Sequence, residues 1–206
     1  MNEHSFIFVA MRTRDEAKEL AVREKALEMI VEDGFDGFSM QKLAKAVGIS
    51  PATLYIYFKD KDDLVIQLWV ETMKRLVHAT LEGFDPAMSF EEGMKIQWMN
   101  RARFCMENPV LMHFMEQIKY SPYHAVCAKK MDKGFIDKMG EFVHNAIKRK
   151  ELVKLQLEVY WSIAFAPLYQ LVKLHMLGRG MNGEQFVLDD KIMNQTLKLV
   201  IKALKP

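Results

Sequence analysis

The chain has 206 residues, half of them hydrophobic, with two cysteines and a formal net charge of +2. That is enough apolar material for a sizeable core in one or two domains, and it excludes a disordered or disulfide-stapled chain. The near-neutral balance excludes attachment to polyanions through overall charge, so nucleic-acid binding would have to come from a local patch.

No apolar run approaches the roughly 18–20 residues that a membrane span needs. The short stretch Ser5 to Met11 has no basic residue before it and is followed by charges, unlike a secretory leader. A cytoplasmic protein is expected, with Cys105 and Cys127 as free thiols and no membrane partner. Residues 1–12 read as an N-terminal arm, and Arg12 and Arg14 lead the first helix.

Strand signals are weak and helical periodicity is strong, so an all-α fold of about nine helices is predicted. Leu20, Leu27, Ile30 and Val31 recur at helical spacing from Thr13 to Glu32, and Gly34 is suited to the left-handed residue that ends that helix. Ser39 caps a short second helix, and Gly48 breaks it. Ser50 caps a third, with Pro51 at its first position, where a missing N–H costs nothing. Asp60 begins a long fourth helix, Lys61 to Leu81, with Asp62 and Asp63 suiting its N-terminus. Ser89 and Glu92 form a capping box for a fifth from Phe90 to Met106. Asn108-Pro109 opens a short helix to Glu116, and Ser121-Pro122 opens another to Arg149. Gln156 to Leu177 is nearly all apolar, with Pro167 as a kink that frees a backbone carbonyl. Asp189 caps the last helix, which runs to Leu204.

The segment from Phe38 to Leu64 carries the functional signal. Two short helices flank a turn containing Gly48, with Ala44 as the small residue at their crossing, which is what a helix-turn-helix requires. Leu54 and Phe58 are four apart and share an inward face. Pro51, Ala52, Thr53, Tyr55 and Tyr57 are left nearer the outer surface. Recognition helices touch base edges with their leading residues, so Ala52 and Thr53 are base candidates, while Tyr55 and Tyr57 suit phosphate oxygens. Lys59 and Lys61 follow, placed for the DNA backbone. From Ser39 to Lys61 only Asp60 opposes Lys42, Lys45, Lys59 and Lys61, a local charge of +3.

Gly48 to Leu64, with its Thr-Leu-Tyr, the aromatic Tyr57, then Phe58, Lys59, Lys61 and Leu64, resembles the DNA-binding signature of the tetracycline-repressor (TetR) family. The preceding Gly37 to Ser50 resembles that family's helix before it, and the likeness runs from about Leu20 to Leu68. It implies a helix-turn-helix DNA-binding domain over residues 1–61 and a ligand-binding and dimerisation domain over 62–206. Carried over by position, Ser39, Tyr55 and Lys61 contact phosphates, and Gln41, Pro51, Ala52, Thr53 and Tyr57 face the duplex. With Ser50 and Lys59 these are the DNA-binding candidates. The implied function is a ligand-responsive regulator, a repressor as is usual in the family. It binds a near-palindromic operator as a homodimer through its last two helices, and a small apolar effector releases it. In the last helix Ile192, Thr196, Leu199 and Ala203 form one stripe, and Met193, Leu197, Val200 and Leu204 form another beside it.

The effector is expected among the middle helices. Trp98, Phe114, Tyr120, Phe142 and Trp161 are candidate walls, together with Phe165, Tyr169 and the adaptable Met94 and Met139. The rival reading is an all-helical small-molecule-binding or enzymatic protein whose N-terminal helices are only structural. Against an enzyme, His78, His113, His124, His144 and His175 form no metal-binding pair, and the sequence has no nucleophile elbow, phosphate loop or dinucleotide fingerprint. No catalytic residue, metal or cofactor is expected.

Overall fold

The computed structural model describes the backbone of residues 3–206 and the side chains of residues 17–206. The side chains of Arg12, Arg14 and the rest of the expected arm lie outside the described residues. The described chain is all-α, with eleven helices: α1 (Glu3–Gly37), α2 (Met40–Val47), α3 (Pro51–Tyr57), α4 (Lys61–Leu81), α5 (Phe90–Glu107), α6 (Pro109–Lys119), α7 (His124–Ala128), α8 (Lys133–Lys148), α9 (Leu157–Ala164), α10 (Ala166–Leu177) and α11 (Asp190–Leu204). Among the described residues there is no strand, only one isolated antiparallel bridge between Arg179 and Gln185.

Two of the nine expected helices are each divided, which accounts for the difference in number. The helix expected from Ser121-Pro122 to Arg149 stops at Ala128 and restarts at Lys133. Asp132 is the cause of the restart, because its carboxylate accepts from the Phe135 amide at 2.6 Å and so caps a new helix. The helix expected from Gln156 to Leu177 breaks at Phe165, whose φ/ψ of −129°/−25° leave the helical region. Pro167, in the first turn of α10, has no N–H with which to continue the ladder. Gly34 does take a positive φ of 71°, but its ψ is 174°, so the chain kinks there and makes another turn to Gly37 instead of stopping.

The remaining boundaries follow local chemistry. Ser89 and Glu92 form the reciprocal capping box at the start of α5, and Asp189 accepts from the Ile192 amide to start α11. No described helix is long and apolar enough to cross a membrane.

The chain divides into two compact units. The first takes the chain up to Thr72 together with Val110–Lys130, and the second takes Met73–Pro109 with Met131–Pro206. This division is not a single cut after residue 61: α6 and α7 group with the N-terminal helices. Aromatic packing explains it, since the Phe35 ring lies 5.0 Å from Tyr123 and 6.5 Å from Phe114. The core of the first unit is built from Val22, Ala26 and Ile30 of α1, Leu43 and Ala44 of α2, Leu54, Phe58, and Leu64, Val65 and Leu68 of α4, all buried. In the second unit α5 packs against α8, α10 and α11. There Gly93 lets the Phe142 ring approach so closely that a Cβ at 93 would sit 2.3 Å from it. Cys105 and Cys127 are buried free thiols.

Candidate nucleic-acid interface

The turn between α2 and α3 is fixed by backbone chemistry. Gly48 adopts φ/ψ of 71°/32°, the left-handed conformation that glycine enters without a Cβ penalty. Its amide donates to the Lys45 carbonyl at 3.3 Å, and the Ile49 amide donates to Ala44 at 3.0 Å. This pair of bonds is a Schellman motif, which satisfies carbonyls that the helix end would leave bare. Ser50 then starts α3: its hydroxyl oxygen accepts from the Thr53 amide at 3.2 Å and lies 2.9 Å from the Thr53 hydroxyl. Two caps and a left-handed glycine thus set the angle between the helices at small cost in apolar material.

The orientation of α3 follows from which residues it buries. Leu54 and Phe58 are 0 % and 1 % exposed and hold the helix to the core of the first unit. Pro51, Ala52, Tyr55 and Ile56 are exposed, and Thr53 and Tyr57 are half-buried. Ile56 is the candidate that the sequence reading missed, and it is 77 % exposed. At about 100° per residue, position 56 lies roughly opposite the midpoint of the Leu54–Phe58 face. Its outward direction was therefore available from spacing alone.

The other predicted DNA contacts have mixed positions. Gln41, Ser50 and Lys59 are exposed, while Ser39 and Lys61 are half-buried. The Ser39 hydroxyl oxygen accepts from the Lys42 amide at 3.2 Å as the cap of α2. A serine that accepts in this way keeps its own proton to donate outward, so capping and phosphate contact are compatible. Lys61 is more committed, because its ammonium donates to the Phe35 carbonyl. Lys42 similarly donates to the Gly37 carbonyl at 2.7 Å. Lys59 is the exposed cation directly after α3.

The turn that follows α3 is held by a chain of polar contacts that residue spacing does not single out. The Lys59 amide donates to Asp63 at 3.0 Å, and Gln67 donates to the same carboxylate oxygen at 2.9 Å. Arg23 of α1 donates to Gln67 at 2.8 Å and to Glu19, and its guanidinium lies 5.1 Å from the centroid of the Phe58 ring. α1 and α4 thereby clamp the end of the short helix whose outer face is free.

A family model described as bacterial regulatory proteins, tetR family, matches residues 22–68. An uncharacterized HTH-type transcriptional regulator of Haemophilus influenzae is 29% identical over 137 residues, which are 66% of this chain and 71% of that protein. The crystal structure of a TetR family transcription regulator from Marinobacter aquaeolei VT8 superposes with a TM-score of 0.71 at 25% identity, covering 94% of this chain and 98% of the other. The family model, the relatives and the solved structures together support a TetR-family transcriptional regulator. The Bacillus subtilis regulator FadR, solved in complex with stearoyl-CoA, shares the fold with a TM-score of 0.71 at 18% identity, over 90% of this chain and 99% of that one. Transcription regulation and DNA binding are the business of this family.

The predicted effector walls are divided between the two units. Phe114 and Tyr120 lie in the first unit, the former buried near Phe35 and the latter 88 % exposed just beyond α6. α6 groups with the N-terminal helices, so these two fall in a different unit from the other candidates. The other seven lie in the second unit. Phe142 is core, stacked on Phe90 and edge-on to Phe84. Trp98 is also core, and its indole N–H donates to the Ala164 carbonyl at 2.8 Å. That bond uses a carbonyl at the α9–α10 break, one residue after the Ile163 carbonyl that Pro167 leaves without an amide donor. Met94 and Phe165 are buried, Met139 and Tyr169 half-buried, and Trp161 is 42 % exposed. Missing from the predicted set are Gln97 and Arg101 of α5, both buried. Among the described residues no group of three or more His, Cys, Asp or Glu side chains is placed to hold a metal ion.

Proposed function

We propose that this TetR-family chain is a ligand-responsive repressor that binds a near-palindromic operator as a homodimer and is released by a small, largely apolar effector. Residues 1–61 read the DNA, and residues 62–206 receive the effector and form the dimer. The observation that carries this reading is the outer face of α3. Pro51, Ala52, Tyr55 and Ile56 stand in solvent on a helix whose opposite face is anchored by Leu54 and Phe58. An exposed tyrosine and isoleucine side by side on a short, firmly capped helix form a small apolar patch that a partner can cover.

In the complex, Ala52, Thr53 and Ile56 meet base edges and thymine methyls, while Ser39, Tyr55 and Lys59 hold phosphates. Two copies are needed to place recognition helices about 34–36 Å apart in successive major grooves. The apolar stripes of α11 support the dimer. Met193, Leu197, Val200 and Leu204 are buried within the chain, whereas Leu199 and Ala203 of the neighbouring stripe are exposed. Leu157 and Val159 of α9 and Leu177 of α10 are exposed as well.

The effector acts by binding one conformation more tightly than the other, with coupling on the order of 1–3 kcal/mol. α4 supplies residues to both compact units, Lys61–Thr72 to one and Met73–Leu81 to the other, which suits it to carry that coupling. The complex of FadR with stearoyl-CoA supports an effector with a substantial apolar part for a chain of this fold.

Selection of duplexes from random DNA, followed by binding titrations at two salt concentrations, tests the reading. A palindromic consensus whose affinity falls steeply with salt is expected. Absent or salt-insensitive binding contradicts it and favours a protein whose N-terminal helices are only structural.

A further inference from the structure

Arg101 is 2 % exposed and Gln97 is 0 % exposed, one turn apart on α5. The Arg101 Nε and Nη2 groups donate to Gln97 Oε1 at 3.3 and 3.1 Å, and Nη1 donates to the Tyr169 hydroxyl at 3.1 Å. A guanidinium carries five N–H donors, so these three bonds leave two unused. Gln97 Nε2 is buried and has no hydrogen-bond partner. Among the described residues no carboxylate pairs with Arg101. Its charge lies instead 4.7, 5.5 and 5.8 Å from the ring centroids of Phe165, Trp161 and Phe135.

Aromatic faces attract a cation, but they supply neither countercharge nor in-plane acceptors for its N–H groups. Buried charges are ordinarily paired, and buried donors are ordinarily satisfied. This place in the second unit therefore has a surplus of positive charge and of N–H donors inside aromatic walls. Burial pushes the nearby Tyr160 hydroxyl above its ordinary range, and the field of Arg101 pulls it back, so the charge is felt across the cluster. Asn100, on the same helix, is the contrast. Its side-chain N–H groups donate to the Glu82 and Thr80 carbonyls and hold the turn after α4.

We propose that Arg101 and Gln97 form the head-group site for an effector that carries a carboxylate on a compact apolar body. The planar fork of the guanidinium matches the two oxygens of a carboxylate, and the Gln97 amide offers a further donor. The Tyr169 hydroxyl accepts from Arg101 and keeps its own proton for the ligand. Phe135, Phe165 and Trp161 contact the apolar body. Trp161, at 42 % exposure against 8 % and 3 % for the other two, is the ring through which the site opens.

This site rests on the effector-responsive reading above, and the two are tested separately. Benzoate and hexanoate are titrated calorimetrically into the full-length protein beside their neutral counterparts benzamide and hexanamide, with thermal melting as a second readout. The carboxylates are expected to bind and raise Tm, and the amides to bind roughly ten- to a hundredfold more weakly. Arg101→Met should bring benzoate down to the level of benzamide, and Arg101→Lys should retain part of the difference. If Arg101→Met does not fold, the carboxylate–amide comparison on the unaltered protein still decides. Equal binding of acid and amide, no binding of either acid, or unchanged benzoate affinity in Arg101→Met overturns the site. Tighter binding of phenyl phosphate than of benzoate overturns the choice of a carboxylate. Operator binding measured in the same samples separates the two claims. Release by a neutral ligand while benzoate fails removes this site and leaves the repressor, whereas benzoate bound through Arg101 without effect on the operator removes the effector-responsive reading.

Discussion

α3 and α5 use polar groups in opposite ways. Around α3 the polar atoms are spent at helix ends and on the outer face, with Ser39, Gly48 and Ser50 closing the turns and only apolar side chains facing inward. In α5 Gln97, Asn100 and Arg101 are all buried, and what satisfies them comes from one another, from other parts of the second unit, or is missing. The first arrangement presents a rigid surface to a large partner. The second keeps charge and donors in reserve inside an apolar wall, which suits a small ligand.

If the two regions work this way, substitutions should separate them. The largest effect is expected from Leu54→Ala, which empties a fully buried site beneath α3. A loss of about 2–5 kcal/mol in chemical denaturation is expected, together with loss of operator binding. Gly93→Ala attacks the other unit, since its methyl would meet the Phe142 ring at 2.3 Å. It should cost about 1–3 kcal/mol by overpacking and leave the operator affinity of the folded protein unchanged. Equal damage to DNA binding from both would break the comparison. Ser50→Ala is milder: it removes the acceptor for the Thr53 amide and should cost about 0.5–2 kcal/mol, read as a lower Tm with weaker operator binding.

The same contrast explains what could be read from the sequence. Caps and left-handed glycines act within a few residues, so Ser39, Gly48, Ser50, Ser89 with Glu92 and Asp189 were legible, as was α4 from Lys61 to Leu81. The inward pair Leu54 and Phe58 fixed the face of α3 by spacing. The division at Asp132 was missed because an aspartate inside a helical pattern looks like a solvated side chain until its carboxylate is found on the Phe135 amide. Arg101 was missed for a related reason. An arginine between Asn100 and Ala102 reads as surface, and only the fold brings Phe135, Trp161, Phe165 and Tyr169 around it. That Phe114 and Tyr120 group with the N-terminal helices was not legible, because periodicity cannot say which neighbours a short helix such as α6 will choose.

The central claim is that the outer face of α3 touches DNA, and Ala52→Asp tests it most directly. Ala52 is exposed in the first turn of α3, where an added carboxylate is compatible with the helix and leaves the core untouched. Titration of the selected operator with this variant should show at least roughly tenfold weaker binding at an unchanged or slightly higher Tm, because a carboxylate is forced against the polyanion. Binding equal to that of the unaltered protein at the same salt would contradict the account.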